Sequence, residues 1–456
     1  MDAPCDREVT EIPATTSIPA TTSWPAPRVA WYTVFVLALT VMFAQLDVTI
    51  LSLLVRPIKA DLQLTDLQVS FLLGAAFAIF YTFVGLPAAR FVDRNARTKI
   101  LAAGLAVWSA ATACCGLAQN YWQLFVSRVM VGAGESVNMP ATFSLIADLF
   151  PRERLPRGIA VLQLGVVAGN GCSLILGGLV VHVLANLPPF ELSGIGAIRG
   201  WQLVFIAVGA PGVLVALLMW MTVPEPQRRG MRADDVQKVP MREVLVYLIQ
   251  HWRVFGPMFL GLAIGAMAIG ARQWYPEFYR RTYGWEPSYV GVVTGVSGIV
   301  FSLIGMFLGV VLVERLTAKH RDDAPLRVVV IARAIGVPAA ILAPLMPNPW
   351  LAVTLEGIAT LSIGMGGASQ NAALQIVTPN RMRGQVTALY LFLFSVVGMG
   401  IGPTVVASIT QFVLQSEAML RYALVATSAI VGPLSLLIIW LGIRPYVREV
   451  QHLRGA

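Results

Sequence analysis

The stretch RVMVGAGESVNMP, from Arg128 to Pro140, places two full charges inside a long apolar run. Arg128 and Glu135 are seven residues apart, so in a helix they project from one face, about 10.5 Å apart along the axis. Burying either charge in hydrocarbon is unfavourable by several kcal/mol. We therefore expect both side chains to have partners or a function inside the protein.

The composition is that of a membrane protein. Of the 456 residues, 57% are hydrophobic and only 12% are charged, which is about half the charged fraction of a soluble domain. The apolar residues form blocks of twenty or more, as transmembrane helices do. The net charge is +9, but the basic residues lie in short segments between the apolar blocks, which is typical of membrane topology and argues against nucleic-acid binding.

The first 28 residues predict a disordered cytoplasmic tail, because they are rich in proline, threonine and serine and contain IPATTS twice. They have no apolar core, so they do not resemble a signal peptide. The four cysteines have no histidine or second cysteine pair at ligand spacing. We expect no metal site and no cofactor.

The apolar blocks form two groups of six predicted helices. The N-terminal bundle, 29–223, has spans at 30–55, 67–90, 99–118, 121–147, 156–184 and 201–223. A cytoplasmic central loop, 224–253, contains an amphipathic helix around 242–252 that we expect on the membrane surface. The C-terminal bundle, 254–445, has spans at 254–277, 288–313, 325–346, 350–377, 385–412 and 421–443, and a cytoplasmic tail follows at 446–456.

The loops predict the topology. Arginine and lysine concentrate in the loops that follow the even-numbered spans, whereas the loops on the other side are short or nearly uncharged. Because basic loops stay in the cytoplasm, we expect both termini there and the chain in the inner (plasma) membrane.

The loop after the second span reads ARFVDRNARTK, from Ala89 to Lys99. It resembles the signature loop of the major facilitator superfamily, and Asp93, Arg94 and Arg97 match that signature. An acid at this helix end can pair with arginines and latch the halves in one conformation. Glu314 and Arg315, in VLVERL after the eighth span, hold the equivalent place. The alternative is a basic loop that carries one acid.

Two further stretches narrow the resemblance. Arg128, Gly132 and Gly134 form an RxxxGxG pattern similar to the superfamily's helix 4 motif. GESVNMPATFSLIADLFPRERLPRG and, in helix 1, LDVTILSLLVRPIKADLQLTDLQ resemble the spinster-like branch, although Val48 and Gln202 replace its usual arginines. The resemblance to the superfamily covers residues 30–445. It implies an all-α polytopic membrane protein of twelve transmembrane helices, with two pseudo-symmetric six-helix bundles around a central cavity.

Helix lengths give Arg128 a candidate partner. Counting from the predicted helix ends, Asp47 in helix 1 and Arg128 in helix 4 lie roughly 12 and 10.5 Å below the same boundary. Glu135 lies two turns deeper, near the midplane, where transporter sites usually lie. We predict that Asp47, Arg128 and Glu135 couple proton movement to transport, with Glu135 or Asp47 carrying the proton. A static pair that only fixes helix packing is the alternative.

Two groups are candidates for binding substrate. Arg272, Trp274 and Tyr275 in the seventh span could hold an anionic or amphipathic molecule by charge and ring contacts, or form an interfacial belt. Gln370, Asn371 and Gln375 in the tenth span could bind substrate in the cavity, or join helices by hydrogen bonds. We expect Glu356 and Arg333 to be interfacial.

Together these features predict a monomeric, proton-coupled secondary active transporter whose partners are a small-molecule substrate, protons and the lipid bilayer. The spinster-like resemblance implies an amphipathic or lipid-like substrate, moved by alternating access. Two alternatives are an organic-anion (carboxylate) proton symporter and a transporter-like sensor without turnover. An enzyme is not expected, because no nucleophile motif, metal-ligand pair or phosphate-binding loop occurs in the sequence.

Overall fold

In the residues that it describes, a computed structural model shows the protein as a bundle of twelve membrane-spanning helical segments. The structure describes residues 24–151, 154–184, 187–188, 190–192, 196–228, 240–379 and 381–455. Within these residues, eleven helices are long and apolar enough to cross a membrane. The twelfth segment is helix 4, which consists of two shorter helices. The fold class predicted from the sequence is confirmed.

The first six segments form one half of the bundle. Helices 1 to 6 occupy Pro27–Leu53, 66–94, Arg97–Cys115, 121–149, Leu155–Leu184 and Gly200–Thr222. A short helix, Val55–Leu62, links helices 1 and 2. Helix 2 contains a π-helical turn at Phe71–Ala75.

The second half repeats the six-helix plan. A surface helix, Met241–Gln250, precedes helix 7. Helices 7 to 12 occupy Trp252–Tyr283, Pro287–Ala318, Ala324–Leu345, Pro349–Val377, Arg383–Val413 and Leu420–Gly455. Helix 11 contains π-helical segments at Phe394–Ile401 and Ile409–Val413.

Local sequence signals set many helix ends. Proline occupies the first turn of helices 1, 8 and 10, where its missing N–H is not needed. Thr65 and Gln68 form a reciprocal capping box at the start of helix 2. Gly284, with a φ of 71°, ends helix 7 in the left-handed region.

Three features differ from the sequence prediction. Helix 4 breaks after Glu135 and resumes at Asn138. Helix 12 continues through the residues predicted to form the C-terminal tail, as far as Gly455. Between helices 5 and 6, Phe190–Leu192 pairs antiparallel with Gly196–Ile198 as a short β-hairpin. Such a hairpin is too short to show strand periodicity in the sequence.

The two ends of the bundle pack differently. We call the end where helix 1 begins the near side and the opposite end the far side. At the far side, one apolar cluster contains residues of both halves, for example Phe205 and Phe278. At the near side the halves have separate clusters, around Trp108 in the first and Phe255 in the second. The halves are therefore joined at the far side.

Helices 5 and 8 cross between the halves at very short range. A Cβ on Gly295 would lie 2.6 Å from the carbonyl oxygen of Gly171, and one on Gly291 would lie 2.3 Å from that of Leu174. Only glycine allows such an approach of two backbones.

Candidate transport site

A cavity of about 320 Å³ lies between the two halves. Helices 1 and 5 supply its wall on one side, and helices 7, 8 and 10 supply most of the other. Polar side chains interrupt an apolar lining, among them Gln45, Thr49, Asn170, Arg272, Gln273 and Glu356. The volume falls within the usual range for a small-molecule site.

Arg272 and Glu356 form the charged centre of this cavity. Nη2 of Arg272 donates to Oε1 of Glu356 at 3.1 Å, and the Tyr279 hydroxyl donates to Oε2 at 2.8 Å. Helix 7 tightens to a 3₁₀ turn at Arg272–Trp274, a feature that often marks a functional bend. Glu356 is only 8% exposed, so the expectation that it is interfacial is wrong.

Sequence reasoning missed the role of Glu356 because its partners lie in another helix. Arg272 is 84 positions away and Tyr279 is 77. The position of Glu356 along helix 10 could have shown that it lies inside the membrane boundary. Glu356 lies seven residues into helix 10, which is more than a helical turn inside the boundary.

Trp274 and Tyr275 have different surroundings. Tyr275 is largely buried and lines the cavity. Trp274 is fully buried, and its Nε1 donates to the carbonyl oxygen of Pro403 in helix 11 at 3.0 Å. The structure therefore places Trp274 in helix packing, away from the cavity surface.

The three amides of helix 10 make local or interhelical hydrogen bonds. Gln370 donates to the hydroxyl of Tyr390 in helix 11. Gln375 donates to Oγ1 of Thr387, also in helix 11, at 2.9 Å. Asn371 is exposed and donates to the carbonyl oxygen of Gly367. None of the three is among the residues that line the cavity, and this arrangement favours the helix-joining alternative.

Arg128 ties helix 4 to helices 1 and 2. The side chain is fully buried, and Nη1 donates to the backbone carbonyl of Asp47 at 3.2 Å. Nε reaches the carbonyl of Leu72 at 3.4 Å, and the guanidinium lies 5.9 Å from the ring of Phe77. Arg128 and Asp47 thus lie at the same level, but within the described residues their charged groups form no direct ion pair.

Asp47 and Glu135 each keep one carboxylate oxygen without a hydrogen-bond partner. Both oxygens, Oδ2 of Asp47 and Oε2 of Glu135, are buried. Glu135 interacts electrostatically with Asp47 and with Arg128. It lies at the break in helix 4, and discontinuous helices often form transporter binding sites. Three ionisable groups are therefore linked inside the first half, beside the cavity rather than on its lining.

Arg97 is fully buried at the near side of the first half. It donates to Asp148 at the end of helix 4 and, through Nε, to Glu225 after helix 6 at 2.8 Å. Thr98 adds two hydrogen bonds of 2.8 Å to the other oxygen of Glu225. Partial burial raises the pKa of Glu225, but the bonds from Thr98 and Arg97 outweigh it and hold the pKa below its usual value.

The predicted latch residues are placed as follows. Arg97 joins three helices of the same half, so its contacts do not cross between halves. The side chains of Asp93 and Arg94 lie outside the described part of the chain. Glu314 and Arg315 are exposed at the near side. In the described residues, neither has an ion pair within 4.0 Å.

Ion pairs between the halves occur at the far side. Asp66, at the start of helix 2, is bound by Arg281 of helix 7 through nitrogen–oxygen distances of 3.0 and 3.1 Å. Lys59 donates to Asp66 at 2.6 Å and also pairs with Glu417, before helix 12. Sequence reasoning missed this far-side network because charged residues are common in polar connecting segments, and nothing in the sequence shows which of them pair.

The profile of the Major Facilitator Superfamily matches residues 37–403, most of the chain. The chain belongs to this superfamily. It is therefore a multi-pass membrane transporter and not an enzyme.

Individual relatives agree with this assignment. An MFS-type efflux pump of Mycolicibacterium smegmatis is 29% identical over 438 residues, 93% of this chain and 95% of the relative. Protein spinster of Drosophila melanogaster is 22% identical and matches 85% of this chain and 63% of its own length.

The fold is also shared with a solved structure. A bacterial homologue of the human lysosomal transporter spinster, in an inward-facing and unoccupied conformation, superposes with a TM-score of 0.76. The two are 23% identical, and the alignment covers 94% of this chain and 98% of that one. These similarities support the spinster-like resemblance seen in the sequence.

Proposed function

We propose that this superfamily member is a proton-coupled secondary active transporter of an amphipathic or anionic organic molecule. The observation that carries the proposal is the linked set Asp47, Arg128 and Glu135 beside the central cavity. An ionised carboxylate whose oxygen has no partner is expensive to keep in a protein interior. Protonation of the carboxylate removes this unfavourable free energy. A movement of Arg128 towards or away from either acid changes the proton affinity of that acid.

The orientation follows from the basic loops. The near side carries the arginine-rich connections, so it faces the cytoplasm and both termini lie there. The far-side network then closes the outer end of the cavity, which makes this conformation inward-facing. Alternating access requires that network to open while the near side closes.

The cavity chemistry favours a molecule with a charged head and an apolar body. Arg272 offers a guanidinium for an anionic group, and Glu356 already holds it in place. Apolar side chains such as Val48, Leu174 and Ile363 supply the remaining wall. A lysophospholipid fits this description, and so, with fewer apolar contacts, does a sugar acid. A probable L-galactonate transporter of Escherichia coli, 22% identical, motivates the second choice.

The substrate class is tested by thermal unfolding of the purified protein. Lysophosphatidylglycerol and galactonate are added separately at pH 5.5 and pH 7.5, and melting temperatures are compared. We expect the lysophospholipid to raise the melting temperature of the wild-type protein, and Arg272→Gln to abolish the rise while the surface control Arg315→Gln keeps it. A rise with galactonate alone would establish the organic-anion alternative.

Proton coupling is tested by Glu135→Gln in proteoliposomes that contain a pH-sensitive dye. We expect the substrate found above to drive proton movement in the wild-type protein, whereas Glu135→Gln binds it without moving protons. Glu243→Gln, an exposed acid on the surface helix, serves as the matched control. Proton movement unchanged in Glu135→Gln and in Asp47→Asn would rule the coupling out. Binding without exchange in counterflow would instead indicate a sensor.

A further inference from the structure

A second, smaller cavity of about 60 Å³ lies inside the second half, between helices 7, 9, 10 and 12. It shares Arg272, Tyr275 and Glu356 with the central cavity, so the Arg272–Glu356 pair forms the partition between the two. The remaining polar lining consists of Arg333, Ser362 and Ser428.

The ionisable groups around the small cavity leave one positive charge unbalanced. Its lining contains two guanidiniums, Arg272 and Arg333, and one carboxylate, Glu356. Glu356 is already bound by Arg272 and by the Tyr279 hydroxyl. Within the described residues, Arg333 has no carboxylate within 4.0 Å and makes no side-chain hydrogen bond.

Arg333 cannot be treated as an interfacial residue that reaches water. It lies nine residues after the start of helix 9 at Ala324, which is about 13.5 Å along the axis and close to the middle of a span. Its guanidinium packs against helix 7 at Gly265, where a Cβ would lie 2.2 Å from Nη1. The absence of a side chain at Gly265 therefore creates the space that the guanidinium occupies. An unbalanced cation at this depth is costly.

We propose that the small cavity binds a monovalent anion of halide size beside the Arg333 guanidinium. The hydroxyl group of Ser428 supplies a further donor on its wall. The volume admits a few water-sized groups and is far below the roughly 300 Å³ at which sites for organic ligands begin. This ligand therefore differs in class from the transported molecule.

The site also has a consequence for the central cavity. Arg272 contacts Glu356 in the partition, and an anion in the small cavity adds a negative charge on the other side of that partition. Occupancy of the small cavity therefore alters how strongly Arg272 attracts an anionic group in the large one. Binding of the anion itself does not depend on whether transport is coupled to protons.

The test compares chloride with gluconate, which is too large for the cavity, at constant sodium concentration and ionic strength. We expect the melting temperature of the purified wild-type protein to rise saturably as chloride replaces gluconate, because a ligand that binds only the folded state stabilises it. Formate and acetate in place of chloride distinguish a small carboxylate from a halide. Arg333→Gln is expected to remove the rise, and Arg242→Gln, an exposed arginine on the surface helix, to retain it.

A second variant and a direct measurement keep the test decisive. If Arg333→Gln does not fold, Ser428→Ala is used, and we expect chloride to bind about five- to tenfold more weakly, as for one lost hydrogen bond. Crystals grown in bromide should show an anomalous peak beside the Arg333 guanidinium. Equal melting temperatures of the wild-type protein in chloride and gluconate, or wild-type chloride affinity in both variants, would overturn the proposal.

Discussion

Arg97 and Arg128 are both fully buried arginines in the first half, but their partners differ in kind. Arg97 is neutralised by two carboxylates, those of Asp148 and Glu225. Arg128 donates to two backbone carbonyl groups and makes no direct bond to the carboxyl group of Asp47 or Glu135. Two carboxylates neutralise the charge of an arginine. Two carbonyl groups hold the guanidinium in place without neutralising it, so its positive charge can still act on nearby acids. This difference is why we assign proton coupling to the region of Arg128.

The bonds to Glu225 predict a pH dependence of stability. Because the folded state lowers the pKa of Glu225 below its ordinary value of 4.5, its contribution is fully present above pH 4.5 and is lost as pH falls through the lower, folded-state pKa. We expect Glu225→Gln to unfold at a lower temperature than the wild-type protein at pH 7. The gap between the two should narrow between pH 5 and pH 3.

The control for this experiment is Glu314→Gln, which removes an exposed acid that has no ion pair within 4.0 Å in the described residues. Thermal unfolding from pH 7 to pH 3 should give the control the wild-type profile. A constant gap between Glu225→Gln and the wild-type protein at every pH would contradict the assignment.

Among the elements, helices 5 and 8 show how small residues position the two halves. Their backbones meet at Gly171, Gly291 and Gly295 without intervening side chains. Helix 8 also carries Gly298, around which nothing lies within 4 Å of a built Cβ. Gly295 therefore allows close packing of the two helices, whereas Gly298, three residues later, faces open space.

This contrast predicts opposite effects of the same substitution. Gly295→Ala forces a methyl group against the carbonyl oxygen of Gly171, so we expect the free energy of unfolding to fall by about 1–3 kcal/mol. Gly298→Ala meets no neighbour and improves helix propensity, so stability should stay the same or rise by up to about 1 kcal/mol. Unfolding of both variants in mixed detergent micelles measures the difference. Equal effects at the two positions would show that helices 5 and 8 do not pack this closely.

At the scale of the whole molecule, the two ends of the transporter differ in how they hold the halves together. One apolar cluster and the far-side network both cross between the halves at the far side. At the near side each half has its own apolar cluster. Opening the far side therefore requires separating apolar surface and breaking ion pairs together, so we expect the network to control the balance between conformations.

Asp66→Asn tests that control. Asp66 is 3% exposed and binds both Lys59 and Arg281. Loss of its charge removes bonds worth about 1.5–3 kcal/mol each, enough to shift a conformational equilibrium about tenfold or more. Spin labels at 119 and 347, on exposed far-side loops of opposite halves, should report a new population at longer distance.

The distance measurement is made by double electron–electron resonance in a background without native cysteines. Glu243→Gln, an exposed acid on the near-side surface helix, is the control and should keep the wild-type distribution. An unchanged distribution in Asp66→Asn would show that the apolar cluster alone holds the far side closed.

The sequence by itself determined the class, the count of spans and the division into two halves, because blocks of apolar residues long enough to cross a bilayer are a local property. It also identified Arg128 and Glu135, since charges within such blocks stand out. It did not find the partners. Asp66 and Arg281 are 215 residues apart, and Arg272 and Glu356 are 84 apart. Which charges meet depends on how helices distant in the chain pack side by side, so only the tertiary structure decided where the protein is closed and where its cavities lie.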